Sequence, residues 1–445
     1  MMFNVDNSGG KAVLSLMNRH GYELFSDLGG YPIRGMVEEA GIGYVVSGPR
    51  FYTVANDGTS AYKGALLTNS GNVGMASNGF EICIVDGANG YLYDIAAGTL
   101  SAIASGFGGG DTVTFIDQYF VVSRPSTGIA QHSGLVDGTA WNALDVATAE
   151  GDPDNLIAVK AIPGQLLLMG NLTTEPYYNA QFPQGFVFGR TGQGYVNMGL
   201  AARWSAQIIE SSVYCLAKNS EGVYGILRSS GGAPQKISTP ALDYKISQYA
   251  TISDAIAWTF TDEGHSYYVI TFPTGNATWV YDVSAAMWSE WRSSGLVRFK
   301  ASYHMSLNNK HIIGDSTTGK LYRLTLDKYD DNGDKVDKIR TTQYIHQTGQ
   351  EITWNSLWLD IEVGQGMTGG QGEDPYMIMQ YSDDGGKTWS DERMASLGKL
   401  GEYVTQVKWN RLGSAPNGRA FKFTVTDSIK LVIIGASADI EVLNG

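Results

Sequence analysis

The chain has 445 residues, with 31 Lys and Arg against 44 Asp and Glu, for a formal net charge of −13. Charged residues make up only 17%, hydrophobic residues 43%, and 56 residues are glycine. This balance excludes an intrinsically disordered chain and disfavours a protein that grips nucleic acid through clustered cations. Cys83 and Cys215, the only cysteines, sit between apolar neighbours, which excludes a disulfide scaffold and predicts two buried strand thiols. The N-terminal six residues lack the basic and apolar regions of a signal peptide, and the longest apolar runs (166–169, 431–434) are too short to cross a bilayer. A soluble protein made in a reducing compartment is expected.

Taken in chain order, short apolar runs recur near Val45, Ile82, Phe120, Leu166, Val213, Tyr267 and His311, about 44 residues apart on average. That period lies within the ~40–50 residues of propeller blades. Several runs continue through a Gly-containing turn into a second strand: 79–85 into Tyr91-Leu92-Tyr93-Asp94, 267–272 into Thr278-Trp279-Val280-Tyr281-Asp282, and 311–314 into Lys320-Leu321-Tyr322. Each unit reads as a blade hairpin that cannot bury both faces alone. The segment 200–209 reads as a helix, and 240–256 as a short helix inserted in the longest gap. The polar stretch 327–337 then breaks the pattern. Its Asp330, Asn332 and Asp334 alternate as in a calcium loop, but the EF-hand Gly and distal Glu are not in place, so a solvated linker is expected. Strands follow at 354–363, 376–382, 404–409, 420–425 and 431–434, spaced as in an antiparallel sandwich. The fold expected is all-β: a propeller of six or seven blades over 35–328, a linker at 329–338, and a β-sandwich over 339–445. Segment 1–34 is a candidate partner of the second domain.

Catalytic signatures are weak. His20, His132, His265, His304, His311 and His346 are scattered, with neither H-E-x-x-H nor paired Cys for zinc. No serine stands in a nucleophile elbow. Gly386-Lys387-Thr388 imitates the end of a phosphate loop, but Tyr381 occupies its first glycine position. The G-x-G-x-x-G at 364–369 leads into a Gly-rich run that cannot start a helix, so no dinucleotide site is implied. No catalytic, cofactor or metal residue is predicted, and no cofactor. The sharp motif is Ser382-Asp383-Asp384-Gly385-Gly386-Lys387-Thr388-Trp389, an S-x-D-x-G-x-T-W Asp-box. Ser382, Asp384, Gly386, Thr388 and Trp389 are expected to build a self-bonded turn: Asp384 accepting from turn amides, Gly386 at positive φ, Trp389 packing beneath.

These segments, in their order, resemble the tail-nozzle or packaged-DNA stabilisation proteins of short-tailed bacteriophages. The resemblance rests on Leu24-Phe25-Ser26-Asp27-Leu28-Gly29 with Ile33-Arg34-Gly35-Met36, although the family usually has Pro-Gly where Leu28-Gly29 stands. It continues through 158–178, Trp279-Val280-Tyr281-Asp282, and 314–322. In the C-terminal part it rests on 382–389, 407–413 and 419–425. The resemblance implies a structural virion protein without catalytic residues, at the distal end of a short tail after passing through the host cytoplasm. It implies a ring, a homohexamer, docked on a head-to-tail adaptor and holding a tail needle or plug, with tail fibres or spikes as further partners. The genome would pass through without stable binding, which an acidic wall favours. A propeller glycosidase or sialidase-like depolymerase and a host-receptor-binding module stay open as alternatives. A sialidase or depolymerase assay and a glycan array separate them.

Overall fold

The structure is a computed structural model and describes residues 1–5, 14–149, 155–192, 194–219, 221–222, 225–347 and 350–443. Parts of the 1–34 and 339–445 readings therefore lie outside the described residues. The chain forms two compact units. One comprises Leu24–Trp291 and Val297–Leu324; the other comprises Met1–Glu23, Arg292–Leu296 and Thr325–Gly445.

The first unit is a β-propeller of seven sheets among the described residues. Blade 1 is the antiparallel meander Ile33–Glu39, Ile42–Ser47, Arg50–Val54 and Ser60–Ala65. Blade 2 runs from Gly74–Ser77 to Thr99–Ala102, blade 3 from Thr112–Ile116 to Asp137–Thr148, and blade 4 from Leu156–Ile162 to Phe188–Arg190. Blade 5 runs from Gly199–Leu200 to Gln235–Lys236, and blade 6 from Ile256–Asp262 to Met287–Glu290. Blade 7 takes three strands from one end of the unit (Ala301–Leu307, Lys310–Asp315, Lys320–Thr325) and its outer strand, Gly21–Asp27, from the other. Without that strand, Lys320–Thr325 would present an open edge. Closing the last blade thus takes a strand from within the segment 1–34.

All seven apolar anchors of the repeat lie on the second strand of a blade. The reason is two-sided burial. In Gln165–Gly170, Leu166 and Leu168 pack with Val121 of blade 3, whereas Leu167 and Met169 pack with Val213 and Cys215 of blade 5. Successive side chains point to opposite faces, and each face meets a neighbouring blade, so the strand is apolar throughout. Asp94 and Asp282, which end third strands, accept from the Ala97 N–H and from the Ser284 and Ala285 N–H groups, respectively, closing Asx turns. Cys83 and Cys215 are free, buried strand thiols, and burial pushes the Cys215 thiol up to about 12.

Two sequence expectations need correction. Residues 200–209 are not a helix. They hold the end of strand Gly199–Leu200, a single 3-10 turn at Arg203–Ser205 and the strand Gln207–Ile209, because the segment supplies the inner edge of blade 5. The second helix is real but shorter, Pro240–Ser247. Thr239 caps it by accepting from the Leu242 N–H, Pro240 stands in its first turn, and Leu242 and Ile246 are buried on one face. Ile256 already belongs to blade 6.

The second unit is a sandwich of two sheets. One contains Met2–Val5, Leu14–Met17, Val432–Leu443, Glu351–Ile361 and Val407–Ala415 in that order; the other contains Lys338–Thr341, Ala420–Val425, Tyr376–Ser382 and Arg393–Ser396. Trp354, Leu357, Met377, Met379, Trp409, Phe421 and Phe423 fill the core between them. In Glu351–Ile361 the in–out alternation slips at Ser356, where the register shifts against both neighbouring strands, as a β-bulge requires. The strand expected at 404–409 instead starts at Val407 and continues through Gly413 to Ala415, while Val404 is 95% exposed.

The stretch 327–337 is solvent-facing only in part. Asp331 is buried and accepts two 2.7 Å contacts from Arg19 Nη2 together with the Ser294 N–H at 2.8 Å. Lys338, at the end of the expected linker, is buried as well, and burial lowers its ammonium to about 8.

Candidate functional site: the Asp-box turn and the propeller axis

The Asp-box turn leaves the strand Tyr376–Ser382 and is bonded almost entirely within itself. Ser382 Oγ donates to Asp384 Oδ1 at 2.7 Å and accepts from the Gly386 N–H at 2.8 Å. Asp384 accepts further from the Lys387 N–H (2.9 Å), the Thr388 N–H (3.0 Å) and Thr388 Oγ1 (2.6 Å). These donors hold its carboxyl well below the usual carboxylate range, the Thr388 hydroxyl foremost. Gly386 has φ +90°, where an L side chain is strained, and a Cβ there would lie 3.7 Å from the Trp389 ring. Trp389 is half-buried, with Lys422 Nζ 4.4 Å from its ring centroid.

Arg419 anchors the base of this turn, a role that sequence reasoning missed although the residue stood in a quoted segment. It is 1% exposed and donates to Asp383 through Nε (2.6 Å) and Nη2 (2.8 Å), and through Nη1 to the Leu412 carbonyl (2.6 Å). Its guanidinium lies 3.9 Å from the Tyr381 ring centroid. The spacing Asp383–Arg419 carries no local signal, because the two meet only once the sandwich strands pair.

The polar groups of the turn are consumed by one another, and the surrounding turn is exposed. Replacing Asp384 by Ala should lower the melting temperature while leaving the strand pairing intact by circular dichroism. Trp389→Ala should cost about 1–3 kcal/mol, the range for a half-buried aromatic with a cation contact. A buried indole would cost more. A thermal melt of each variant measures both.

In the propeller unit, the innermost strands of all seven blades, from Met36 in blade 1 to Tyr303 in blade 7, ring a cavity of about 180 Å³ on the axis. Its walls are side chains, and a DNA duplex does not fit. Gly35 lines it because a Cβ would lie 2.6 Å from Val73 Cγ2, where the inner strands of blades 1 and 2 crowd. His304 stacks on Trp258, and its Nε2 lies 3.1 Å from His311 Nδ1. Burial, reinforced by His311, lowers His304 to about 3; burial lowers His311 too, with Asp262 opposing. Both imidazoles are therefore neutral in the folded protein, whereas in the unfolded chain they take up protons near pH 6.5. Stability is full above that pH and should fall as pH drops from about 6.5 toward 3. Melting temperatures across this window should decline less steeply in His304→Phe, which keeps the stack and removes one proton site.

Among the described residues no group of three or more His, Cys, Asp or Glu is placed to hold a metal ion. The 364–375 loop runs without a helix behind it. No described helix is long and apolar enough to cross a membrane.

The architecture defines a class: a seven-bladed propeller followed by an Asp-box-bearing β-sandwich. The family described as Bacteriophage P22 Gp10, beta-propeller, matches residues 1–329, and that described as Bacteriophage P22 Gp10, beta-sandwich, matches residues 338–441. The chain belongs to the phage P22 Gp10 family and is a phage structural protein, a virion component that stabilises packaged DNA.

No curated protein matches the chain. Solved structures similar to it include the β-propeller domain of Myceliophteria thermophila Cps50 (Swd1), 7% identical, TM-score 0.47, covering 68% of this chain and 99% of that one. The WD40 propeller domain of Doa1 is 11% identical, TM-score 0.42, over 68% and 96% of the respective chains. The extracellular domain of a B. thetaiotaomicron one component system is 9% identical, TM-score 0.45, over 87% of this chain but 48% of that one, so this chain spans about half its length.

Proposed function

We propose that copies of this chain form a ring, a homohexamer, at the distal end of a short phage tail, closing the tail and serving as the conduit for DNA ejection. The observation that carries this reading is the match of both units, in order, to the two Gp10 domains. The propeller axis is filled by side chains around a cavity of about 180 Å³, so a duplex would have to run between subunits. A net charge of −13 suits a wall that repels phosphate at every position and so does not retain the moving genome. A head-to-tail adaptor would bind one end of the ring and a needle or plug the other, with fibres or spikes as further neighbours. The role is non-enzymatic, and the Asp-box serves stability.

The test uses particles assembled without this protein. They should package DNA and then lose it, with the genome becoming nuclease-sensitive, and electron microscopy should show a tail missing its distal ring. Adding the purified chain back should restore retention. Particles that keep their DNA without it, or a ring seen elsewhere in the virion, would contradict the proposal.

A further inference from the structure

The axial cavity of the propeller carries an unbalanced positive charge inside an acidic protein. Lys160, half-buried on the inner strand of blade 4, lines it, and among the described residues it has no hydrogen-bond or ion-pair partner. Asp111, next to the wall residue Thr112, is already held by Arg203 at 2.7 Å, and Arg203 also donates to the Ile157 carbonyl. Among the described residues, two further donors in the wall are unsatisfied. Trp258 is 4% exposed and its Nε1–H finds no acceptor; the Tyr303 hydroxyl finds none either. Gln207 turns its amide nitrogen to the Ala257 carbonyl at 2.6 Å. Buried polar groups are nearly always paired, and an ammonium poorly reached by water and without a counter-charge is costly.

We propose that this cavity is a binding site for a small oxyanion of phosphate size, held by Lys160 with Trp258 and Tyr303 as neighbouring donors. The chemistry of the lining selects the class. Three donors without acceptors, one of them an unneutralised cation, select a ligand that accepts and carries negative charge. The volume of about 180 Å³ has room for such an ion with accompanying water. Burial lowers Lys160 to about 8, so the ammonium is still mostly charged at neutral pH and is further favoured once an anion sits beside it. The ion would add a link between inner strands of different blades, and so would strengthen ring closure of the propeller.

Inorganic phosphate, titrated into the purified full chain at constant ionic strength, tests this. The melting temperature should rise along a saturable curve complete by about 10 mM, unlike the gradual stabilisation by excluded anions that needs far higher concentrations. Lys160→Met should weaken phosphate binding by calorimetry about tenfold or more, the loss expected for one charged hydrogen-bond donor. In phosphate-free buffer the same variant should melt at or above the wild-type temperature, since it removes a lone, poorly solvated charge; in saturating phosphate it should melt below it. Tyr303→Phe, which deletes one hydroxyl, gives a second reading should Lys160→Met misfold, and it should weaken binding by a smaller factor. The absence of saturable binding by the wild type would overturn the proposal. So would binding undiminished in both variants, which would place the ion elsewhere.

Discussion

Deleting residues 1–27 is expected to abolish cooperative folding of both units. Residues 1–5 and 14–17 contribute two strands to the sandwich sheet that contains Glu351–Ile361, and Gly21–Asp27 is the outer strand of blade 7. Arg19 is the partner of the buried Asp331, which keeps only the Ser294 N–H among these contacts if Arg19 is removed. Removing one member of a buried pair alone costs about 3–5 kcal/mol. That is a large part of the ~5–15 kcal/mol that stabilises an ordinary protein. The loss of blade closure adds to it by exposing the edge of Lys320–Thr325. The truncated chain should therefore show a broad or missing melting transition by circular dichroism, with aggregation at the open edge. Arg19→Met should give a cooperative transition at a lower temperature, isolating the ion-pair contribution. A truncated chain melting as sharply and as high as the full one would show that the N-terminal strands are dispensable.

The propeller was legible in the sequence where burial is two-sided. Val45, Ile82, Phe120, Leu166, Val213, Tyr267 and His311 all fall on second strands, whose apolar runs repeat because every such strand is covered by blades on both faces. Inner strands were not legible: they turn Gly35, Gly74 and Lys160 to the axis and so lack an apolar signature. The helix misread at 200–209 has the same origin, since local preference for helix yields to the demand for an inner edge in blade 5. The exchange of a strand between the chain ends in blade 7 was also hidden, because pairing Gly21–Asp27 with Lys320–Thr325 leaves no trace in either segment. The Asp-box, by contrast, is closed by hydrogen bonds between residues no more than four positions apart, so its bonding partners all lie inside the motif. Its anchor, Arg419, could not. Nor could Asp331, whose partner Arg19 lies 312 residues away and whose polar neighbours suggest a solvated segment.

Arg34 illustrates the same limit and has the second large expected effect. It stands in the segment Ile33-Arg34-Gly35-Met36 that carried the family resemblance, yet nothing local explains a cation next to an apolar strand residue. In the fold it is 3% exposed and binds acceptors in the loops that bracket blades 1 and 2. Its Nε donates to the Gly71 carbonyl (2.5 Å), Nη1 to those of Gly48 (2.9 Å) and Thr68 (2.8 Å), and Nη2 to the Ser70 carbonyl (2.7 Å) and Thr68 Oγ1 (2.8 Å). Thr68 Oγ1 in turn donates to Asp86 Oδ2 at 2.6 Å, carrying the network to the hairpin turn of blade 2. Burial lowers the guanidinium pKa, and Asp86 opposes that shift. The fork thus replaces water for four carbonyls that no strand satisfies. Arg34→Met should cost about 3–5 kcal/mol, because a similar apolar stem remains while the buried carbonyls lose their donors. Arg34→Lys should recover only part of the loss, since three donors on a single nitrogen cannot span acceptors spread around a planar fork. Denaturant melts of the two variants measure both steps. A methionine variant as stable as the wild type would mean that water reaches those carbonyls, and that the arginine is dispensable to the joint between the first two blades.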